Sequence, residues 1–379
     1  MRSVGVEEEL LLVDGRSGAP LAVSGAVLAA AERSAWLQPG TGGRPEHEFE
    51  KELQKEQLEF ATAPITHMGE LQEEIVRIRG EAARHAASAG AVVAAVGTSP
   101  LPVQPSLNVG RRYRWLGEQF GLTAQEQLTC GCHVHVSVDS DEEGVAVLDR
   151  IRPWLAVLLA MSANSPFWQG EDSGYGSYRS RVWNRWPSAG PVSVFGSADR
   201  YHERVDAMIG TGVLRDEGMI YFDARLSAAY PTVEIRVADV GLDATTPVLL
   251  AALVRGLVET ASRAWQDGQP PARVDTGLLR LASWRAGRSG LDGPLLHPET
   301  MREASAEHVV EALYRHVREA LKDHEDDERV REGIARLHER GNGARVQRRL
   351  HADGQGLASV VARCAEMTIE PSAAGSGPV

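Results

Sequence analysis

Two stretches of this chain alternate polar and apolar residues in the rhythm of a half-buried strand: "CGCHVHVSV" at residues 130–138 and "TVEIRVADV" at residues 232–240. Successive side chains of a strand point to opposite faces of its sheet. In the first stretch His133, His135 and Ser137 therefore share one face, while Cys130, Cys132, Val134, Val136 and Val138 take the other. In the second, Glu234 and Arg236 lie with Thr232 and Ala238, opposite the apolar Val233, Ile235 and Val237. A third stretch, "GVEEEL" at residues 5–10, has the same form, with Glu7 and Glu9 on one face and Glu8 on the other. A sheet of such strands buries one face and presents carboxylates and imidazoles on the other. The parity also bears on the two cysteines and two histidines of the first stretch. On a regular strand they cannot share one zinc ion, and only a loop at residues 130–132 would permit it. The cysteines read as small buried apolar residues.

The segments between these strands are helices of uneven length. Leu71, Ile75, Ile78 and Ala82 recur at helical spacing, which predicts an amphipathic helix. "AVVAAVGTSP" at residues 91–100 then reads as a buried strand closed by a turn. Val145, Leu148, Ile151, Leu155, Leu158 and Leu159 predict a second helix, broken or restarted at Pro153. Residues 171–191 are irregular and rich in Gly, Pro, Arg and aromatics, which marks a functional loop region. From Thr245 onward the pattern is mostly helical, and the tail at residues 371–379 is expected to be disordered. Without a regular βαβ rhythm, an α+β domain with a mainly antiparallel sheet fits best.

Composition sets limits on function. A formal net charge of -12 over 379 residues argues against a coat for nucleic acid or an anionic membrane. No stretch reaches the roughly 18 apolar residues of a membrane span, and the N-terminus lacks a signal-peptide core. Three cysteines make no disulfide framework, so a cytoplasmic protein is expected.

The polar faces carry the chemistry. Glu7 beside Glu9 is repulsive unless a cation neutralises the pair, although acids on an edge strand also serve solubility. Glu234 and Arg236 in isolation would be a surface ion pair worth little. "EFEKELQKEQLEFATAP" at residues 48–64 suits a charged helix, which sets Glu52 and Glu59 on one face. A tight hairpin centred between Lys55 and Glu56 would oppose them directly, with Cβ atoms roughly 5 Å apart. Both geometries stay open. Together these pieces offer oxygen-rich ligation with one or two histidines, which selects Mg²⁺ or Mn²⁺. Such ions commonly act with substrate phosphates. The chain contains no G-x-x-x-x-G-K-[ST] loop, which argues against a P-loop kinase.

"GVEEELLLVD", "ELQKEQLEFAT", "CGCHVHVSV", "DSGYGSYRS", "NRWPSAGP" and "TVEIRVADV" occur in an order that resembles the type-2 glutamate–cysteine ligase family, in particular its YbdK-like carboxylate–amine ligases. The resemblance continues more weakly through "LASWRAGRSGL" and "GNGARVQRRL". It implies a glutamine synthetase-like catalytic domain with a curved, mainly antiparallel sheet flanked by helices. Residues 1–244 would hold the sheet and the metal and ATP site, and residues 245–370 would pack on the same domain. By position, Glu9, Glu52 and Glu59 resemble the ligands of one metal, and Glu7, His133 and Glu234 those of a second, with two or three Mg²⁺ or Mn²⁺ ions in all. Arg236 resembles the arginine that meets the ATP γ-phosphate. His135 is either a substrate or phosphate contact or a hydrogen-bonded core histidine. Tyr175, Arg179, Arg181 and Arg185 fall where the family has a loop near its substrates, with Arg179 the foremost candidate for holding a carboxylate or phosphate. The implied reaction is ATP-dependent amide formation between a small carboxylate, glutamate by analogy, and an amine, with weak or no use of cysteine. A homodimer is suggested by the resemblance alone. A metal-dependent hydrolase and a catalytically silent nucleotide or amino-acid sensor are the alternatives.

Overall fold

The structure, a computed structural model, describes residues 1–36, 49–354 and 356–370; the tail at residues 371–379 lies outside the described residues. β1 (Val4–Val13) is the axis of the fold. On one side it pairs with β3 (Gln57–Ala61), which pairs in turn with β2 (Phe49–Glu50). On the other side its last residues pair with β4 (Val92–Ala94) and its first half with β5 (Gly131–Ser137). A separate two-residue ribbon, β6 (Phe167–Trp168) with β7 (Glu171–Asp172), precedes the outer strands. β9 (Thr232–Asp239) continues the main sheet beyond β5, and β8 (Ala224–Leu226) ends it. Every pairing is antiparallel, in the order β2-β3-β1-β5-β9-β8 with β4 beside β1. The α+β class expected from the strand spacing is the class observed.

The helices before the outer strands are α1 (Ser24–Trp36), α2 (Met68–Ser88), α3 (Arg111–Phe120), α4 (Leu122–Gln125), α5 (Asp141–Ile151), α6 (Leu155–Ser162), α7 (Arg179–Trp183) and α8 (Ala198–Gly210). Between α5 and α6 a 3-10 turn spans Arg152–Trp154, because Pro153 has no amide hydrogen to continue the α-helical ladder. After β9 come α9 (Thr245–Gln266), α10 (Thr276–Ser289), α11 (Ala306–Asp323), α12 (Asp327–Arg340), α13 (Gly343–Ala352) and α14 (Leu357–Ile369). α9 is the central cover. Its unbroken buried run from Pro247 to Val258 packs on β5 and β1, where Val134, Val136, Val233 and Ile235 form the apolar faces foreseen from parity and Val4 and Val6 of β1 join them. α14 packs on β4, and α1 on α2, around a second cluster that holds Leu10, Leu12 and Phe60. Cys130, Cys132 and Cys364 are unpaired and buried in these clusters. No described helix is long and apolar enough to cross a membrane.

The β2–β3 connection differs from both geometries considered for residues 48–64. The strands do form an antiparallel pair, but Glu50, not Glu52, stands opposite Glu59. Residues 51–56 are held out of a tight turn by a neighbouring segment. Lys55 donates its amide to Ser106 O at 2.8 Å, and Asn108 donates its amide to Leu53 O at 2.9 Å. Glu52 consequently lies outside the strand, and its Oε2 accepts from the Leu53 amide at 2.9 Å.

"GNGARVQRRL" ties the C-terminal helices to the sheet. Asn342 caps α13 through the Arg345 amide and donates its Nδ2 to Ala160 O at 3.1 Å. Gln347 Nε2 donates to Asn164 O and Oδ1 at 2.9 and 2.7 Å. Asn164 Nδ2 in turn donates at 2.8 Å to Ala95 O and Val240 O, just beyond β4 and β9.

Candidate active site

Strand register assembles the site on the polar face. Glu50 opposes Glu59 and Glu59 opposes Glu9 across β2, β3 and β1. Glu7 opposes His133 across β1 and β5. His135 opposes Glu234, and Glu234 opposes Arg225, across β5, β9 and β8. Residues far apart in the chain thus form a continuous band of acids, imidazoles and guanidiniums. A bulge between Cys132 and Val134 shifts the β5–β9 register, and bulges re-aim side chains in this way.

At the centre of the band, one ligand atom from each of Glu7, His133 and Glu234 lies within 4.8 Å of the others. His133 Nδ1 is 3.1 Å from Glu7 Oε2 and 4.0 Å from Glu234 Oε1. Burial, reinforced by the Arg236 charge, pushes the His133 pKa down to about 4, so the ring is neutral at pH 7, the form that ligates metals. Burial raises the Glu7 pKa, but hydrogen bonds from His133 and His135 outweigh it and keep the carboxyl ionised. Burial likewise opposes ionisation of Glu234, yet Arg236 and then Arg225 hold its pKa down at about 2. Arg225 grips Glu234 through Nε at 2.6 Å and Nη2 at 3.1 Å, and Arg236 Nη1 bonds the same carboxylate. Two guanidiniums share one anion, which leaves positive charge beside the triad.

The second acidic group is held differently. Burial, then Glu52, pushes the Glu9 pKa up to about 7; burial, then Glu52, also raises Glu59 well above the usual carboxylate range. Like charges at one site suppress ionisation, so this group binds protons in the absence of a cation and can exchange them for one. Glu9 Oε2 also accepts from the Gly131 amide at 2.7 Å. A Cβ at Gly131 would overlap the Arg179 guanidinium, so a side chain there would require that guanidinium to shift. Glu8, on the opposite face, is structural: Arg79 clamps it at 2.8 and 2.7 Å, and both side chains are fully buried.

A cavity of about 290 Å³ opens over this band. Glu7, Glu9, Glu52, Glu59, His133 and Arg236 line it, together with Glu50, Lys51, Arg112, Arg225, Tyr113, Trp183, Trp186 and Tyr221. Glu50, Arg225 and the aromatic wall were not anticipated from the sequence; a hairpin reading of residues 224–239 would have brought Arg225 opposite Glu234. His135 sits beside the triad, with Nε2 at 3.1 Å from Glu7 Oε1 and Nδ1 at 3.0 Å from Thr232 Oγ1.

The tyrosine and arginines of residues 175–185 lie elsewhere. Tyr175, Arg179, Arg181 and Arg185 are not on the cavity wall. Arg179 is buried behind it, with Nη1 and Nη2 each 3.4 Å from the carbonyl oxygens of Val237 and Arg236. Tyr175 lies under the Arg288 guanidinium, 5.5 Å from ring centroid to Cζ, and its carbonyl accepts from Arg348 at 2.9 Å. Arg185 is exposed and paired with Glu126 at 2.7 Å, and Arg181 is half-buried. Arg179 and Arg185 thus each meet a partner within the protein.

The sequence profile of Glutamate-cysteine ligase family 2 (GCS2) matches residues 3–363. The chain belongs to that family. It is 61% identical over 368 residues to the Streptomyces coelicolor protein named "Putative glutamate--cysteine ligase 2", covering 97% of this chain and 99% of that one. A Paenarthrobacter aurescens protein named "Putative glutamate--cysteine ligase 2-1" is 47% identical over 361 residues, covering 95% and 93%. Among solved structures, this family 2 chain has the fold of a Francisella tularensis glutamate–cysteine ligase crystallised in complex with AMP. That match has a TM-score of 0.68 at 13% identity and covers 98% of this chain and 90% of the other. A bifunctional glutathione synthetase from Pasteurella multocida matches with a TM-score of 0.65 at 15% identity, covering 96% and 52%.

Proposed function

We propose that this family 2 ligase joins a small carboxylate, glutamate, to an amine at the expense of ATP, through an acyl phosphate. One observation carries the reading: Glu7, His133 and Glu234 converge within 4.8 Å beside Arg236 and below an open cavity. The donor set of carboxylates and one neutral imidazole fits a hard divalent ion, Mg²⁺ or Mn²⁺. Glu7, His133 and Glu234 would hold one such ion, and Glu9, Glu52 and Glu59 a second. Bound there, these ions would offset the charge of the triphosphate and of the substrate carboxylate. Arg236, with Arg225 behind the shared carboxylate of Glu234, supplies fixed positive charge for the transferring phosphoryl group. A carboxylate oxygen of glutamate attacks the γ-phosphorus as the bond to ADP breaks. The amine nitrogen then attacks the acyl carbon, and phosphate leaves as the amide forms. The cavity holds the reactants in contact, which supplies much of the acceleration. Cysteine is a poor acceptor in this reading.

The deciding assay supplies Mg²⁺, ATP, glutamate and hydroxylamine and follows ADP and hydroxamate together. ATP-dependent hydroxamate is the expected result. Turnover of a phosphate or amide substrate without ATP would instead identify a hydrolase, and nucleotide binding without ADP release would identify a silent sensor. A panel of amines then ranks the acceptors, and cysteine turning over as fast as the best of them would overturn its assignment as a poor acceptor.

A further inference from the structure

"YRSRVWNRWP" at residues 178–187 lies mostly outside the cavity wall, yet Trp183 and Trp186 line it. α7 is a single short helix with Arg179 and Trp183 four residues apart, a spacing that sets them on one face. The Trp183 ring lies 5.6 Å from the Cζ of Arg179 and 5.7 Å from the Cζ of Arg236. Both distances are within the reach of a cation–π attraction. The indole itself is fixed edge-on against Tyr221, with ring centroids 4.9 Å apart. Arg179 is anchored from behind by the β9 carbonyls, and its Nη1 is 3.9 Å from the buried Asp239 carboxylate. Among the described residues Arg236 is ion-paired with Glu234, which it shares with Arg225, while the Glu7 and Glu9 charges act on it from nearby; its buried Nε, like that of Arg179, has no hydrogen-bond partner.

We propose that Trp183 is a positioning residue for phosphoryl transfer: its indole face holds the Arg236 guanidinium toward the cavity without adding a further carboxylate to those already near it. This deepens the ligase reading above and rests on it. An aromatic face attracts a guanidinium through its quadrupole and carries no net charge. A second anion in the same place would orient Arg236 equally well and would cancel the field that a developing phosphoryl charge needs. The arrangement also gives Arg179 a role that its burial allows. It occupies the same ring and braces α7 against β9, so that the shelf stays in register with Arg236.

The test compares Trp183→Phe and Trp183→Leu with the wild-type protein in the hydroxamate assay, alongside Arg236→Lys and the Trp183→Leu/Arg236→Lys double variant. Wild-type turnover is the control for the underlying reading, because its absence sinks the ligase assignment before any variant is scored. Trp183→Leu should lower kcat about 10-fold, inside the roughly 2- to 30-fold that a cation–π contact carries. Trp183→Phe should recover most of that loss. The dissociation constant of a non-hydrolysable ATP analogue, measured by calorimetry, should change less than about 3-fold, since the contact matters most in the transition state. In the double variant the two losses should be strongly less than additive. Fully additive losses would show that Trp183 touches substrate on its own account and would overturn the proposal. So would an unchanged kcat in Trp183→Leu, or a loss of analogue binding that tracks a fall in melting temperature.

Discussion

At the scale of single residues, the site depends on a few closely packed atoms. Gly131 is one of them, since its amide serves Glu9 while the missing side chain leaves room for Arg179. Gly131→Ala should destabilise the protein by about 1–3 kcal/mol, the usual cost of overpacking, and should weaken cation binding at Glu9. Paired urea unfolding and Mn²⁺ titration check both effects, and an unchanged midpoint would remove the packing argument. Glu234 is the other extreme of dependence, because Arg225, Arg236 and the Glu7–His133 pair all converge on it. Glu234→Gln should cut ligase turnover by at least about 100-fold, the order of magnitude lost with a single electrostatic stabiliser. The steady-state rate of hydroxamate formation measures it.

Elements are locked together by buried charge. Glu8 of β1 and Arg79 of α2 are both fully buried, and Arg79 also donates to Gly241 O at 2.7 Å. Removing one partner of such a pair strands the other charge. Arg79→Met should therefore cost about 3–5 kcal/mol, whereas the double variant Glu8→Leu/Arg79→Met should cost clearly less. Chemical denaturation of the three proteins separates these outcomes. The C-terminal end of α11 carries a different liability. His324 is buried with neither ring nitrogen hydrogen-bonded, and burial, then the Arg255 charge, pushes its pKa down to about 4 from an ordinary 6.5. Between those values the unfolded chain holds the extra proton, so the contribution of His324 to stability falls as pH drops from 6.5 toward 4. The melting temperature of His324→Phe relative to wild type should therefore rise as pH drops across that window, and a difference independent of pH would remove the argument.

For the molecule as a whole, cation binding and folding are coupled through the second acidic group. The Glu9 pKa of about 7 stands above the ordinary 4.5, and Glu59 is also raised. At these two groups the native state therefore holds more protons than the unfolded chain between those values, and their contribution to the stability of the cation-free protein is lost as pH rises through them. A divalent ion that replaces the protons should stabilise more at pH 8 than at pH 6. At 100 times its dissociation constant, the gain is about 2.7 kcal/mol. Melting curves with and without Mg²⁺ at the two pH values test this, and an equal shift at both would break the link.

Parity alone was enough to place His133, His135, Glu7, Glu9, Glu234 and Arg236 on polar strand faces, because a strand's two-residue period is a local property of the backbone. The same logic foresaw the apolar faces of β5 and β9, helical spacing foresaw α2, and Pro153 itself foresaw the break between α5 and α6. The register between strands was beyond local reasoning. It depends on which residues of remote segments exchange hydrogen bonds. The pull of residues 106–108 on residues 51–56 put Glu50 rather than Glu52 opposite Glu59. The burial of Arg179 and the pairing of Arg185 with Glu126 were equally illegible, since composition cannot distinguish a guanidinium in solvent from one packed against the fold. Sequence determined which residues share a face; the tertiary structure decided which faces meet, because only packing brings β1, β5 and β9 together around one cluster of charge.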